Sequence, residues 1–358
     1  MSICLIGKNL TNYVLASAFS KHGLNVDILY ESKKNIIKST RTLALTEENF
    51  HFLKSILNNF NIYKWPIKKI EIYNDKNNEN NFIQFEKEPE NSFYMIYYYD
   101  ILKLFEKNCK TSKKIKFIYK KSIYNYLKNI KYKIIINSDP NGSISKKFFY
   151  RKIHKNYLST AYTGILHHSK KENYKASQIF TKYGPIAFLP IGKKKTSIVF
   201  SLLNKYKLNK KEIYSKIITY NKNYDIKYLG KLEKFTLKLT LSRNYLFQNI
   251  LSFGDSIHKV HPLAGQGFNM TLRDTQELLK LFKRNIELGL DLNESLLNDF
   301  IKKVKHKNYI FGMTIDSINT FFNLDVKVNN QLSNKLISFL KKNKNILKLI
   351  NNIADKGI

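Results

Sequence analysis

The 358-residue chain carries 62 Lys and Arg against 27 Asp and Glu, a formal net charge of +35, with 43% hydrophobic residues. That apolar share supports a packed core and excludes a disordered chain, while the length allows one large domain or two modest ones. Only five of the basic residues are arginine (Arg41, Arg151, Arg243, Arg273, Arg284), and lysine is spread along the chain, so the charge reads as AT-rich coding drift and excludes a dedicated nucleic-acid surface.

The chain opens with MSICLIG, a buried-type strand ending at Gly7, then LTNYVLASAFSKHG with Val14, Leu15, Ala18 and Phe19 at helical spacing, then the strand NVDILYE. A strand, helix, strand unit of this kind seeds a parallel sheet. Residues 41 to 60 carry helical periodicity through Leu45, Phe52, Leu53, Ile56 and Leu57, and IKKIEIYND with NNFIQFE predict a hairpin over 67 to 86. A helix is predicted over 97 to 109, alternating strands over 115 to 137, and a β-rich block over 161 to 203. A lysine-rich helix over 206 to 222, a helix over 268 to 284 and helices from 293 to 353 complete the series.

The decisive stretch is GDSIHKVHPLAGQGFNMTLRD, residues 254 to 274. It follows the strand QNILSF and precedes a helix with Leu272, Leu278, Leu279 and Phe282 on one face, so its glycines fall at a strand-to-helix turn. Gly265 and Gly267 let backbone amides approach a ligand, and the new helix directs its positive end there. Asp255, next to Gly254, can accept hydrogen bonds from sugar-like hydroxyls, and Pro262 stiffens the approach. His258 and His261 lack a third ligand for a metal, so no metal site is read here.

This string resembles the signature of the class A flavoprotein aromatic monooxygenases, and more closely their ubiquinone-biosynthesis hydroxylases, in GD, H, HPLAGQGFN and LRD. RTLALT at 41 to 46, WPIKKIEIYND at 65 to 75, YTGIL at 162 to 166, GPIAFLPI at 184 to 191, TSIVFS and FTLKLT extend the resemblance over most of the chain, as for a full-length member. It implies an α/β fold with a discontinuous FAD-binding Rossmann-like domain (1–65, 96–150 and 240–287). An inserted β-sheet substrate domain (66–95 and 151–239) and C-terminal helices (288–358) complete it. It places Arg41 and Asp255 on FAD, and the chain from Pro262 through Leu263, Ala264, Gly265, Gln266, Gly267 and Phe268 to Asn269 beside the flavin ring, with Gly254 at the turn. His258, as a hydrogen-bonding or proton-relay group, and Pro262 are assigned to the reaction centre.

The N-terminal fingerprint departs from G-x-G-x-x-G: Gly7 is kept, but Asn9 and Asn12 replace the later glycines. Asn9 is expected to hold the turn with left-handed backbone, Asn12 to push the helix off the strand, and FAD binding to weaken. Glu31, one place late, is the candidate for the adenosine ribose; Asp139 with Gly142 in SDPNGSISKK is the candidate second fingerprint, a plain turn being equally open.

The activity so implied is FAD- and NAD(P)H-dependent hydroxylation, with O2, of a polyprenyl phenol in ubiquinone biosynthesis. A noncatalytic scaffold with weakened FAD binding, working with other ubiquinone-biosynthesis proteins, and a flavin enzyme of another phenol stay open. Cys4 and Cys109 form no disulfide framework, and neither a signal peptide nor an apolar run of about 18 residues occurs. The expected location is cytoplasmic. The helix predicted over 332 to 353, with Leu336, Phe339, Leu340 and Leu347 opposite lysines, would either lie on the inner face of a bacterial membrane or pack on the protein's own core.

Overall fold

Strand β1 (Ser2–Ile6) is apolar on both faces because both are covered. Ile3 and Leu5 enter the large core beneath helix α1 (Leu10–Lys21), and Cys4 and Ile6 enter an apolar layer on the other side. The computed structural model describes residues 2–32, 38–74, 83–86, 93–129, 132–261 and 266–325. Helix α1 stops at Gly23, whose φ of 86° permits the paired bonds Gly23 N–H to Ser20 O and Leu24 N–H to Phe19 O, both 3.1 Å. Strand β2 (Asn25–Tyr30) then runs parallel to β1.

The chain continues through β3 (Thr42–Leu45), α2 (Glu47–Ile56), β4 (Trp65–Ile67), β5 (Lys69–Asn74), β6 (Ile83–Glu86) and β7 (Phe93–Tyr97). Helix α3 (Tyr98–Thr111), β8 (Ile115–Tyr119), α4 (Ile123–Asn129), β9 (Ile135–Asn137) and α5 (Ser143–Phe148) return it to the first layer. A second sheet follows: β10 (Lys152–His168), β11 (Lys175–Thr181), β12 (Gly184–Gly192), β13 (Lys195–Leu203), α6 (Lys210–Tyr220), β14 (Ile226–Leu229) and β15 (Glu233–Ser242). The chain re-enters the first layer by β16 (Leu246–Phe247) and β17 (Ile250–Ser252), makes a 3-10 turn at Gly254–Ser256 and β18 (His258–Lys259), and ends in α7 (Gln266–Glu287) and α8 (Glu294–Asp325).

Among the described residues the first sheet has the order β16-β17-β9-β1-β2-β8, parallel except for β16. Helices α1, α3, α7 and α8 share one core with its first face, whereas α4 and α5 cover the other. The second sheet has the order β18-β15-β10-β13-β12-β11-β5-β6, with β14 beside β10, and α6 packs on it through Ile213 and Ile217. The small sheet β3-β7-β4 lies between them, joining Ala44, Ile67 and Met95 to Ile165 and Ile191.

Two sequence readings need correction. Residues 41 to 60 are not helical throughout: Thr42–Leu45 pairs with β7, and the helix starts only after Thr46, whose hydroxyl accepts the Asn49 amide. The segment 115 to 137 is strand, helix, strand, because Tyr124, Tyr126 and Leu127 pack as one helical side on the outer apolar layer. The hairpin of β5 and β6 forms as expected. The predicted helix over 332 to 353 lies outside the described residues; among those described, no helix is long and apolar enough to cross a membrane.

Candidate functional site

The carboxyl ends of neighbouring parallel strands β17, β9 and β1 carry Gly254, Asp139 and Gly7, the crevice where open α/β sheets receive ligands. Gly254 has φ 57°, and a β-carbon there would lie 3.1 Å from Thr11 Cγ2 on α1 and 3.3 Å from Thr271 Cγ2 on α7. This glycine therefore draws the 3-10 turn against the starts of two helices, so that their positive ends share one corner. Gly254→Ala is expected to cost about 1–3 kcal/mol, from left-handed strain and displaced threonine methyls, as read by urea denaturation.

Arg41 packs on Tyr98, the first residue of α3. The Arg41 guanidinium lies 4.8 Å from the centroid of the Tyr98 ring, and the Tyr98 amide donates to the Arg41 carbonyl at 3.0 Å. Burial raises the Tyr98 hydroxyl pKa, the Arg41 charge opposes that rise and the Asp255 charge adds to it, so both charges act on one hydroxyl. Tyr98 has no motif in the sequence; only the fold reveals it.

Helix α7 begins at Gln266, so Gly267 sits in its first turn rather than before it. Gly267 is half-buried, and an added Gly267 β-carbon would meet Val260 Cγ2 at 3.9 Å, an ordinary packing distance. The connection from β17 is also not a simple turn, since β18 pairs with β15 of the other sheet in between. Gln266 Oε1, Ser256 Oγ, His258 Nδ1 and His261 Nδ1 are buried with no partner among the described residues. Phe268 packs against the large core. Pro262, Leu263, Ala264 and Gly265 lie outside the described residues.

Two assigned residues hold protein rather than ligand. Asn269 Nδ2 donates to Ala44 O at 2.8 Å while its Oδ1 accepts from the Thr46 amide and Asn49 Nδ2, pinning α7 to β3 and α2. His258 is buried, with Nε2 3.1 Å from Asp274 Oδ2, and Asn308 Nδ2 donates to the same oxygen at 2.8 Å.

The opposite end of the crevice also differs from expectation. Asn9 is not left-handed: at φ −147° it caps α1, its Oδ1 accepting the Asn12 amide at 3.0 Å. Asn12 does not wedge helix from strand, because its Nδ2 donates to Ile6 O and Gly7 O at 2.8 and 2.7 Å and ties them together. Glu31 accepts from the Ile123 amide, the Ser143 amide and the Ser143 hydroxyl, bracing the starts of α4 and α5 instead of facing a ribose. Burial raises the Glu31 pKa, but the Ser143 hydroxyl and these amides outweigh it and hold the carboxyl below its ordinary value. Asp139 Oδ1 accepts the Asn141 and Gly142 amides in a closed turn.

The residues present fit the ring and ribityl end of a flavin, given the Gly254 turn packed on α1 and α7, the exposed Asp255 in that turn, and the unpartnered buried Ser256 Oγ and Gln266 Oε1. The adenosine end is filled by the chain itself.

Similarity to solved structures concerns the fold. The fold matches p-nitrophenol 4-monooxygenase PnpA from Pseudomonas putida (TM-score 0.75, 10% identity, 98% of this chain and 96% of that one). It also matches pqsL, a probable FAD-dependent monooxygenase from Pseudomonas aeruginosa (TM-score 0.70, 11% identity, 94% and 99%). The architecture is that of the class A flavin monooxygenases.

In sequence the chain is similar to ubiquinone-biosynthesis hydroxylases. It is 38% identical over 82 residues to the mitochondrial ubiquinone biosynthesis monooxygenase COQ6 of Saccharomyces cerevisiae, 22% of this chain and 17% of that protein. It is 24% identical over 207 residues to COQ6 of Danio rerio (46% and 43%), and 25% identical over 188 residues to ubiquinone hydroxylase UbiL of Rhodospirillum rubrum (48% and 42%). The matches thus span less than half the length of these relatives, and no family model matches the chain.

Proposed function

We propose that the chain is an FAD-dependent monooxygenase that hydroxylates the aromatic ring of a polyprenyl phenol, with NAD(P)H as reductant and O2 as co-substrate. The observation that carries this reading is the Gly254 turn at the carboxyl end of β17, packed against Thr11 of α1 and Thr271 of α7, with Asp255 in that turn. The names of the relatives, ubiquinone biosynthesis monooxygenase and ubiquinone hydroxylase, support the substrate class.

The bound flavin would supply the oxygen-activating redox chemistry. The chain's part is to hold and orient. Arg41 offers a planar cationic fork to a phosphate or carbonyl, and Tyr98 stiffens it by stacking. Asp255 accepts from ribityl-type hydroxyls, and the α7 amides with their helix dipole favour negative charge on an adjacent ring. The apolar seam of Ala44, Met95, Ile165 and Ile191 backs the corner with a dry wall.

The purified protein is expected to turn yellow on adding FAD and, with NAD(P)H, to convert a prenylated phenol to its ring-hydroxylated product. Arg41→Ala should weaken flavin binding by roughly tenfold or more, the loss of a charged hydrogen-bond partner. A protein that folds yet shows no flavin absorbance at saturating FAD rules this reading out. The scaffold reading draws on the filled adenosine end; product formation would exclude it.

A further inference from the structure

The adenosine end of the crevice is not merely degraded; it is rebuilt. Where a phosphate-binding turn leaves glycine backbone bare, Asn9 Oδ1 already occupies the Asn12 amide at 3.0 Å. Asn9 Nδ2 crosses to β9, within 3.2 Å of Ser138 O and 3.0 Å of Ser138 Oγ, and that hydroxyl lies 3.1 Å from Asn9 Oδ1. The room over Gly7 is taken: a β-carbon there would lie 3.0 Å from Asn9 Nδ2 and 3.1 Å from Asp139 Cβ. Below it, Asn12 fills the helix-to-strand gap and binds two carbonyls.

The acidic group that would meet a ribose is likewise committed. Glu31 receives the Ile123 amide at 2.9 Å and the Ser143 hydroxyl at 2.6 Å, joining β2 to α4 and α5. Turning it outward would leave two helix starts without their acceptor. Asp139, which could compete for a hydroxyl, is closed into its own turn. These side chains form a continuous polar lock across the ends of β1, β2 and β9. Asn12 Oδ1, inside this lock, is buried without a partner, as are Gln266 Oε1 and Ser256 Oγ at the other end of the crevice.

We propose that this lock replaces adenosine-diphosphate recognition, so that the protein selects its flavin by the ring, ribityl chain and first phosphate, and does not discriminate FAD from FMN. This rests on the flavin reading above. In an open dinucleotide corner the adenylate half adds affinity through the helix amides and a ribose acceptor. Here that half would have to displace Asn9 and Asn12 contacts for every contact it gains. The first phosphate, common to FAD and FMN, would be left to Arg41, whose guanidinium has no acidic partner among the described residues.

Titration of the full chain with riboflavin, FMN and FAD, followed by flavin fluorescence quenching, tests this directly. FAD and FMN are expected to bind within about threefold of each other, riboflavin more weakly, and millimolar ADP should not displace FAD. Asn9→Gly, which costs a helix cap little, should strengthen FAD binding by about tenfold while leaving FMN within about twofold. The wild-type FAD to FMN ratio needs no variant and so stands even if Asn9→Gly folds poorly. A wild-type preference for FAD over FMN of about a hundredfold, or displacement by ADP, overturns the lock but leaves the monooxygenase reading intact. Absence of binding by all three flavins overturns both.

Discussion

Asp274→Ala is expected to lower the unfolding free energy by about 3–5 kcal/mol and the melting temperature by on the order of 10 °C. The Asp274 and His258 side chains are 4% and 0% exposed, and Asp274 Oδ2 receives both His258 Nε2 and Asn308 Nδ2. Three elements, β18, α7 and α8, therefore converge on one carboxylate oxygen. Removing it leaves two donors in a dry interior with no acceptor, the costliest way to break such a pair. Removing both side chains together is different: Asp274→Leu with His258→Leu leaves only Asn308 Nδ2 without its acceptor and should recover part of the loss. Urea denaturation reads both. The cleft of about 840 Å3 between α7 and α8 has Asp274 on its wall, so a single-variant loss below about 1 kcal/mol would mean that water from the cleft replaces the carboxylate.

The same pair shows what could be read from the chain alone and what could not. The motif at 254 to 274 identified the corner because glycine and a helix start have local meanings: φ 57° at Gly254 and an α7 start at Gln266 follow from nearby residues. Partners distant in sequence carry no such local mark. Nothing near Asn269 indicates that it bonds Asn49, 220 residues away, and nothing near Arg41 points to Tyr98 as its stacking partner. Their place in the motif points Asn269 to the cofactor and His258 to the reaction centre, yet the side chains of both tie α7 to its neighbours.

Periodicity failed for a related reason. Residues 42 to 45 look helical because Leu45 falls in phase with the helix that follows, and only the Thr46 cap marks the boundary. In α4 the aromatic and polar residues alternate like a strand, but burial against Ile135 and Phe149 selects one helical side. Glu31 illustrates the deeper limit. Its place at the end of β2 suggested a ribose ligand, and only the arrival of α4 and α5 from residues 123 and 143 shows where its carboxylate goes.

Acid should destabilise the fold through His261, just ahead of Pro262, by about 3 kcal/mol between pH 6.5 and 4. The residue is 2% exposed, stands edge-on to Tyr157 with ring centroids 5.1 Å apart, and has no partner for Nδ1 among the described residues. Burial drives its pKa down to about 4, with the Asp316 charge pulling slightly the other way. In the unfolded chain the ring takes up a proton near 6.5, so between the two values the unfolded state holds more protons. The His261 contribution is therefore complete above pH 6.5, declines as pH falls, and changes no further below about pH 4. Glu31, Glu71 and Glu106, whose carboxyls are held below their ordinary value, add their own acid loss only below about pH 4.5. His167 and His168, which burial also holds below the ordinary histidine value, lose stability in the same window as His261, so His261 is read from the difference between the wild type and a variant. His261→Phe keeps an aromatic ring against Tyr157 but cannot be protonated, so between pH 6.5 and 5 its stability should fall less steeply than that of the wild type. Parallel slopes in the two proteins would show that His261 can take up a proton without leaving its pocket. Because this ring leads directly into the loop assigned to the flavin, FAD should also dissociate from the wild type over the same pH range in which stability is lost, and not from His261→Phe.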